Sequence, residues 1–207
     1  MSESIVIIDY NIGNLRSVQK SFEKNDCDAI ITNNHEKILN AYKIVLPGVG
    51  SFRDGMDGLL NLGLVEILNE TVINNKKPFL GICLGMQLMA NRGHENIETK
   101  GLGWLDSDIV RFDFTSINKD FKIPHVGWNS VKFEADCLLY KGVPDESDFY
   151  FVHSYYHDLH EDIVTGSSNY GYQFASSLQK KNLFGFQFHP EKSQEFGLKI
   201  IKNFIAL

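Results

Sequence analysis

The sequence predicts an α/β fold: a doubly wound, mostly parallel central sheet flanked by helices, with a smaller mixed or antiparallel layer from the second half. Three observations carry this. The first half of the 207-residue chain alternates strand and helix signals, the pattern of parallel strands joined by crossover helices. The second half changes character and reads as closely spaced strands with turn residues between them. The length suits one domain over 1–207 with a sizeable core, and is short for two.

Taken in order, Met1 leads through a short polar start into "SIVIID" (4–9), a β-branched run that ends at "YNIGN", so a strand is expected near the N-terminus rather than a leader peptide. Leu15, Val18 and Phe22 then recur at helical spacing. "DAIIT" (28–32) and "YKIVLPG" (42–48) read as the second and third strands, the latter closed by Pro-Gly. A long helix is expected next, with Met56, Leu59, Leu60, Leu64, Ile67 and Leu68 on one face. "PFLGI" (78–82) is the fourth strand, and "LGMQLMANR" a helix directly after it.

In the second half, "WLDSDIVRFDF", "NSVKF", "DFYFVHSYY", "DIVTGSSNYGYQFASSLQ" and "NLFGFQFHP" are strand-like. "SQEFGLKIIKNFIAL" closes the chain as an amphipathic helix with Leu198, Ile201 and Ile205 on one face. No repeat, low-complexity tract or linker interrupts the chain.

Composition narrows the function. A formal charge of −6 with scattered Lys and Arg gives no basic stripe for nucleic acid. Apolar runs are strand-length, so no membrane span is expected. The three cysteines, Cys27, Cys83 and Cys137, are far apart and odd in number, and form neither a metal-binding cluster nor a disulfide framework. No metal and no cofactor is expected, and the free thiols fit a reducing, cytoplasmic setting.

One cysteine stands out by its surroundings. "GICLG" has the form G-x-C-x-G at a strand-to-helix turn, the cysteine counterpart of a nucleophile elbow. Such a sharp turn strains its central residue and requires small neighbours, here Gly81 and Gly85. It lifts the thiol to the carboxyl end of the sheet, where α/β folds bind ligands. The N–H of Leu84 then faces any oxyanion formed by attack on a carbonyl, and the helix start favours a thiolate.

A base is available in "FGFQFHPEKS". His189 follows an apolar strand, and Glu191 shares its face if the chain stays extended through Pro190. Glu191 would then orient the imidazole while His189 takes and returns the thiol proton. His153, in "FVHSYY", also sits at a strand end. The glycine-rich turn "VLPGVGSF" is either a second oxyanion donor, through an N–H near Val49 freed by Gly48 and Gly50, or an ordinary loop.

Together, "GICLGMQ", "LPGVGSF" and "FQFHPEKS" resemble the class I (triad) glutamine amidotransferases. Within that family the chain is most similar to the glutaminase subunit of imidazole glycerol phosphate synthase, over nearly its full length. The shared segments are "DYNIGNLRSV", "PGVGSF", "GICLGMQL", "GLGW", "IPHVGWN", "FYFVHSYY" and "GFQFHPEKS". The resemblance implies Cys83 as nucleophile, His189 as general base and acid, and Glu191 as its orienting partner. It implies an oxyanion site at Gly48, Val49, Gly50 and Leu84, and a glutamine held by Gln87, Ser154 and Tyr155.

It further implies a heterodimer with a (β/α)₈-barrel synthase subunit, contacted by Asn11, Asn14, Trp128 and Lys192, with Tyr150 near the ammonia exit. From the residues alone, Trp128 and Tyr150 are equally core aromatics, Asn11 and Asn14 turn formers, and Lys192 a solvated charge. The implied activity is hydrolysis of L-glutamine to glutamate and ammonia, the ammonia passing to the barrel for histidine biosynthesis. Two departures, Glu95 and Glu98 without the usual acidic pair and Trp104 in "GLGW", resemble relatives that feed a paralogous barrel for amidino-sugar synthesis. That is the alternative.

Overall fold

The computed structural model describes residues 4–117 and 121–207, so the polar start at 1–3 lies outside it. The parallel half begins as expected, with β1 (Ile5–Ile8), α1 (Leu15–Glu23), β2 (Ala29–Thr32) and β3 (Lys43–Gly48). A short helix that the pattern did not reveal, α2 (His35–Asn40), joins β2 to β3 and is capped by the Asn34 side chain.

The single long helix expected after β3 is two: α3 (Phe52–Asn61) and α4 (Leu64–Leu68), followed by a π-helical turn over Asn69–Asn74. Gly63 takes φ +62° and breaks the run, and Leu60, expected on the buried face, points outward from α3 and is 58% exposed.

β4 (Phe79–Cys83) leads into α5 (Leu84–Gln87), a single turn where a helix to Arg92 was expected. It ends because another segment takes over its carbonyls. Leu102 N–H donates to Leu88, Gly103 to Ala90, and both Trp104 and Leu105 to Met89. Two short strands of this excursion, β5 (Arg92–Gly93) and β6 (Thr99–Lys100), gave no signal in the sequence.

The remaining strands are β7 (Ser107–Arg111), β8 (His125–Phe133), β9 (Ser147–His153), β10 (Tyr155–Leu159), β11 (Val164–Tyr170), β12 (Tyr172–Lys180) and β13 (Leu183–Phe186). The stretch "DFYFVHSYY" is thus divided at Ser154 between β9 and β10, which belong to different sheets. The chain closes with α6 (Gln194–Ile205). Its buried face is Gly197, Ile200, Ile201 and Phe204, while Leu198 and Ile205 sit at its margins.

Among the described residues, nine strands form one sheet in the order β2-β1-β3-β4-β13-β12-β11-β8-β9. The run from β2 to β13 is parallel, and every pairing beyond β13 is antiparallel. The smaller sheet, β10-β7-β5-β6, is mixed. The α/β class stands as expected. What the sequence did not disclose is the division of the second half, most of which extends the large sheet.

Alternation along the parallel strands builds a core on each face. Val6, Ile8, Ile44 and Leu46 pack with Met56, Leu59, Leu64 and Met86. Ile5, Ile7, Val45, Leu80 and Ile82 pack with Val18, Phe22, Ile200 and Phe204 on the other face. The placement that matters for chemistry is β13, inserted beside β4 with Phe186 opposite Ile82, while Gly48 of β3 pairs with Cys83. Three segments of interest therefore leave three neighbouring parallel strands at the same edge.

Candidate active site

Cys83 is held at φ +52°, ψ −110°, a strained conformation for a residue with a side chain. The two glycines are required by space. A methyl at Gly85 would lie 1.7 Å from the Leu46 carbonyl oxygen, and one at Gly81 would lie 2.8 Å from the Gly85 carbonyl oxygen. The elbow exists because strand, turn and helix are pressed together around a residue that must point away. Its sulfur opens into a pocket of about 420 Å³, which Leu84, Val49 and Gly50 also line.

The turn after β3 is shaped differently from expectation. Gly50 has φ +112°, as its role as a flexible glycine requires. Gly48 does not; it is needed because a Cβ there would lie 2.2 Å from the Tyr10 hydroxyl oxygen and 2.9 Å from Leu84 Cβ. Tyr10 is fully buried and donates to the Pro47 carbonyl at 2.7 Å. Burial first, and the Cys83 sulfur second, keep that phenol protonated far above its ordinary range.

His189 and Glu191 meet, but by another route than an extended chain. His189 itself is extended (φ −100°, ψ 94°), as the following proline favours, and Pro190–Lys192 then form a 3₁₀ turn. The turn brings Glu191 Oε1 within 2.8 Å of His189 Nδ1, with both side chains 2% exposed. Ser193 pins the arrangement. Its hydroxyl donates to the His189 carbonyl at 2.6 Å and accepts from the Tyr150 N–H at 3.0 Å, while His189 N–H donates to the Tyr150 carbonyl.

Nε2 of His189 and Oε2 of Glu191 are buried without hydrogen-bond partners. A buried polar atom left unpaired is costly, and such atoms collect where a reacting group must be received. Burial alone would keep the imidazole neutral. The Cys83 sulfur, followed by Glu191, outweighs burial and pushes His189 up to about 10. The ring is therefore built to carry a proton next to sulfur.

Gln87, Ser154 and Tyr155 line the same pocket. Gln87 is buried and spends its NH₂ on the Tyr155 carbonyl and on Gln187 Oε1, each at 2.9 Å. Two residues at the site were not assigned to it by the sequence reading. Glu95 accepts from the Phe52 N–H at 2.9 Å and faces the pocket, whereas Glu98 makes a surface contact with Arg92 at 3.7 Å. Gln187, fully buried, lies 3.7 Å from the Cys83 sulfur. A glutamine between Phe186 and Phe188, on the same strand face as His189, was the available signal.

The residues assigned to a partner surface divide. Trp128, 48% exposed, Tyr150 and Lys192 form one patch: the two rings are 6.1 Å apart, and Lys192 Nζ stands 5.6 Å from the Tyr150 ring centroid. Lys192 also reaches the rim of the pocket. Asn11 and Asn14 are both exposed in the β1–α1 loop, Asn11 at φ +66° and Asn14 as the cap of α1. Trp104 is a core residue, edge-on to Phe79 and bonded through Nε1 to Asn69 at 2.7 Å.

Among the described residues, no helix is long and apolar enough to cross a membrane. Comparison with known proteins agrees with the geometry. The family described as "Glutamine amidotransferase class-I" matches residues 6–207. The imidazole glycerol phosphate synthase subunit HisH of Methanocaldococcus jannaschii is 48% identical over 204 residues, covering 98% of this chain and 99% of that protein. HisH 1 of Campylobacter jejuni strain RM1221 is 47% identical over 203 residues, covering 98% and 100%. The structure of PurLQS from Thermotoga maritima shares the fold at 17% identity, with a TM-score of 0.75 over 100% of this chain and 99% of that one. On a match that spans both the cysteine elbow and the C-terminal histidine, the chain belongs to the class I glutamine amidotransferase family.

Proposed function

We propose that the chain is the glutaminase subunit of an imidazole glycerol phosphate synthase, hydrolysing L-glutamine and passing ammonia to a (β/α)₈-barrel subunit in histidine biosynthesis. The full-length relatives carry that synthase's name. The observation that carries the chemistry is the orphaned His189 Nε2 beside the strained Cys83, with Glu191 fastened to the far side of the ring.

The steps follow from these positions. Cys83 Sγ, its proton already held on His189 Nε2 and the imidazolium steadied by Glu191, attacks the side-chain carbonyl carbon of glutamine. The oxyanion falls to the N–H of Leu84 and to the turn at Gly48, Val49 and Gly50. The carbon–nitrogen bond breaks, His189 returns the proton to the leaving nitrogen, and ammonia departs. Water then attacks the thioester, giving a proton to His189; the carbon–sulfur bond breaks, and the sulfur recovers that proton as glutamate leaves. No cofactor enters the balance.

Binding has a matching logic. The Glu95 carboxylate at the pocket suits the α-ammonium of glutamine, and Gln87, Ser154 and Tyr155 line the same pocket. Trp128, Tyr150 and Lys192, with Asn11 and Asn14, form the face we assign to the barrel. The whole chain acts as one glutaminase unit in the cytoplasm, in keeping with three free cysteines.

The sugar-pathway alternative has no support among the relatives described above, and Trp104 is accounted for by core packing. Reconstitution tests the proposal. Glutamine turnover is expected to be weak for the chain alone and strongly raised by the histidine-pathway barrel carrying its ligand, since one missing oxyanion donor costs about 10²–10³ in rate. Robust turnover without the barrel, or stimulation only by a sugar-pathway barrel, refutes it.

A further inference from the structure

Gln187 stands in the site with no part in the steps above. It follows β13, two residues before His189, and its Nε2 lies 3.7 Å from Cys83 Sγ, within reach of an N–H···S hydrogen bond. Which end of a side-chain amide faces a neighbour is settled by its partners, and here a backbone carbonyl settles it.

The Tyr155 carbonyl can only accept, and Gln87 lies 2.9 Å from it, so Gln87 turns its NH₂ there. The second hydrogen of that NH₂ faces Gln187, which must answer with oxygen, at 2.9 Å. The amide of Gln187 is thereby left with its NH₂ toward the sulfur. His153 Nδ1 donates to the same Tyr155 carbonyl at 2.9 Å and holds it from a second side.

The sulfur also lies 3.8 Å from the Val152 carbonyl, a pure acceptor. A thiol can donate to that oxygen, but a thiolate is repelled by it. A donor within reach of the same sulfur offsets that repulsion while the sulfur is anionic and His189 holds the proton.

We propose that Gln187 is a further catalytic residue, donating an N–H to the Cys83 sulfur as it becomes anionic, and that Gln87 is the positioning residue that sets which end of that amide faces the sulfur. The proposal rests on the reading of Cys83 as nucleophile. The other ionisable groups around the sulfur are Tyr10 from the β1 side, His189 and Glu191 after β13, His153 from β9, and Glu95 and Lys192 at the pocket.

The test is alkylation of Cys83 by iodoacetamide as a function of pH, followed on the Cys83 peptide by mass spectrometry because Cys27 and Cys137 are also free. Both Gln187→Met and Gln187→Glu are expected to move the midpoint of reactivity upward by about one pH unit, the Glu variant further. At neutral pH this reads as a loss of roughly three- to tenfold in alkylation rate. Gln87→Met moves the midpoint the same way by less, and adds nothing to Gln187→Met in the double variant. Thermal midpoints check folding, and Gln187→Glu preserves size and polarity should Gln187→Met not fold. Curves for the Gln187 variants that superimpose on the unaltered protein overturn the proposal. If instead the unaltered protein, with its barrel present, neither alkylates at Cys83 nor releases ammonia from glutamine, the nucleophile reading fails.

Discussion

Two buried sets of imidazoles lie near one another and are held in opposite states. His189 has a carboxylate at 2.8 Å and a sulfur on its other side, and its pKa is pushed up to about 10. His125 and His153 have only each other, a carbonyl and an amide: Nδ1 of His125 lies 3.1 Å from Nε2 of His153, and Nδ1 of His153 lies 2.9 Å from the Tyr155 carbonyl. Burial is the largest influence on both, and it drives them down to about 4 and about 3. Burial alone does not decide whether a histidine is charged. Anionic partners do, for His189 the Cys83 sulfur first and the Glu191 carboxylate second.

The neutral pair has a direction. Tyr155 must accept, so His153 carries its proton on Nδ1 and receives on Nε2 from His125 Nδ1. His125 Nε2 then receives from Asn129, 3.4 Å away. Protonating either ring would set two donors face to face. Under the proposed mechanism the first set moves a proton; the second holds a carbonyl still.

The sharpest break of this contrast removes the moving proton. Cys83→Ala or His189→Gln is expected to lower glutamine hydrolysis by on the order of 10⁴ or more in the reconstituted enzyme, measured as glutamate released. Glu191→Gln makes the first set resemble the second. It should cost about 10²–10⁴ in rate and drop the His189 titration, followed by NMR of the ring protons, back toward or below its ordinary value. Unchanged turnover in Glu191→Gln would mean that the carboxylate is not what separates the two sets.

Stability against pH sharpens the comparison, because the two sets act in opposite windows. His189 keeps a proton that the unfolded chain releases above about 6.5, so its contribution is full below that pH and is lost as pH rises toward about 10. His125 and His153 refuse a proton that the unfolded chain takes up below about 6.5, so stability falls as pH drops from there to about 4 for His125 and about 3 for His153. His125→Phe, placed among Tyr170, Phe151 and Phe112, should flatten the acid limb of a urea-midpoint profile and leave the alkaline limb alone. The smallest effect belongs to Trp128→Ala. Half-exposed as it is, its loss should leave the unfolding midpoint of the isolated chain within about 0.5 kcal/mol, while weakening association with the barrel in titration calorimetry.

The nucleophile elbow was legible because its demand is local: Gly81 and Gly85 are dictated by contacts within a few residues and one strand away. His189 and Glu191 were legible for a similar reason, although the chain turns at Pro190 instead of running on, and Glu191 reaches the ring by that turn. The place of β13 beside β4 was not legible, since β4 lies about a hundred residues away in sequence and apolar runs do not name their neighbours; the pairing with β12 is a local turn. The shortness of α5 was hidden likewise, because the segment at 102–105 that replaces its next turn is remote in the pattern. Ser193, Glu95 and Gln187 take their meaning from tertiary contacts alone.

The insertion of β13 has a consequence for synthesis on the ribosome. The thiol-bearing strand emerges about a hundred residues before the segment that carries His189, and α6, which follows, buries Ile200, Ile201 and Phe204. Until β13 settles beside β4 a nascent chain holds the thiol without the imidazole, and under the proposed chemistry it leaves glutamine untouched.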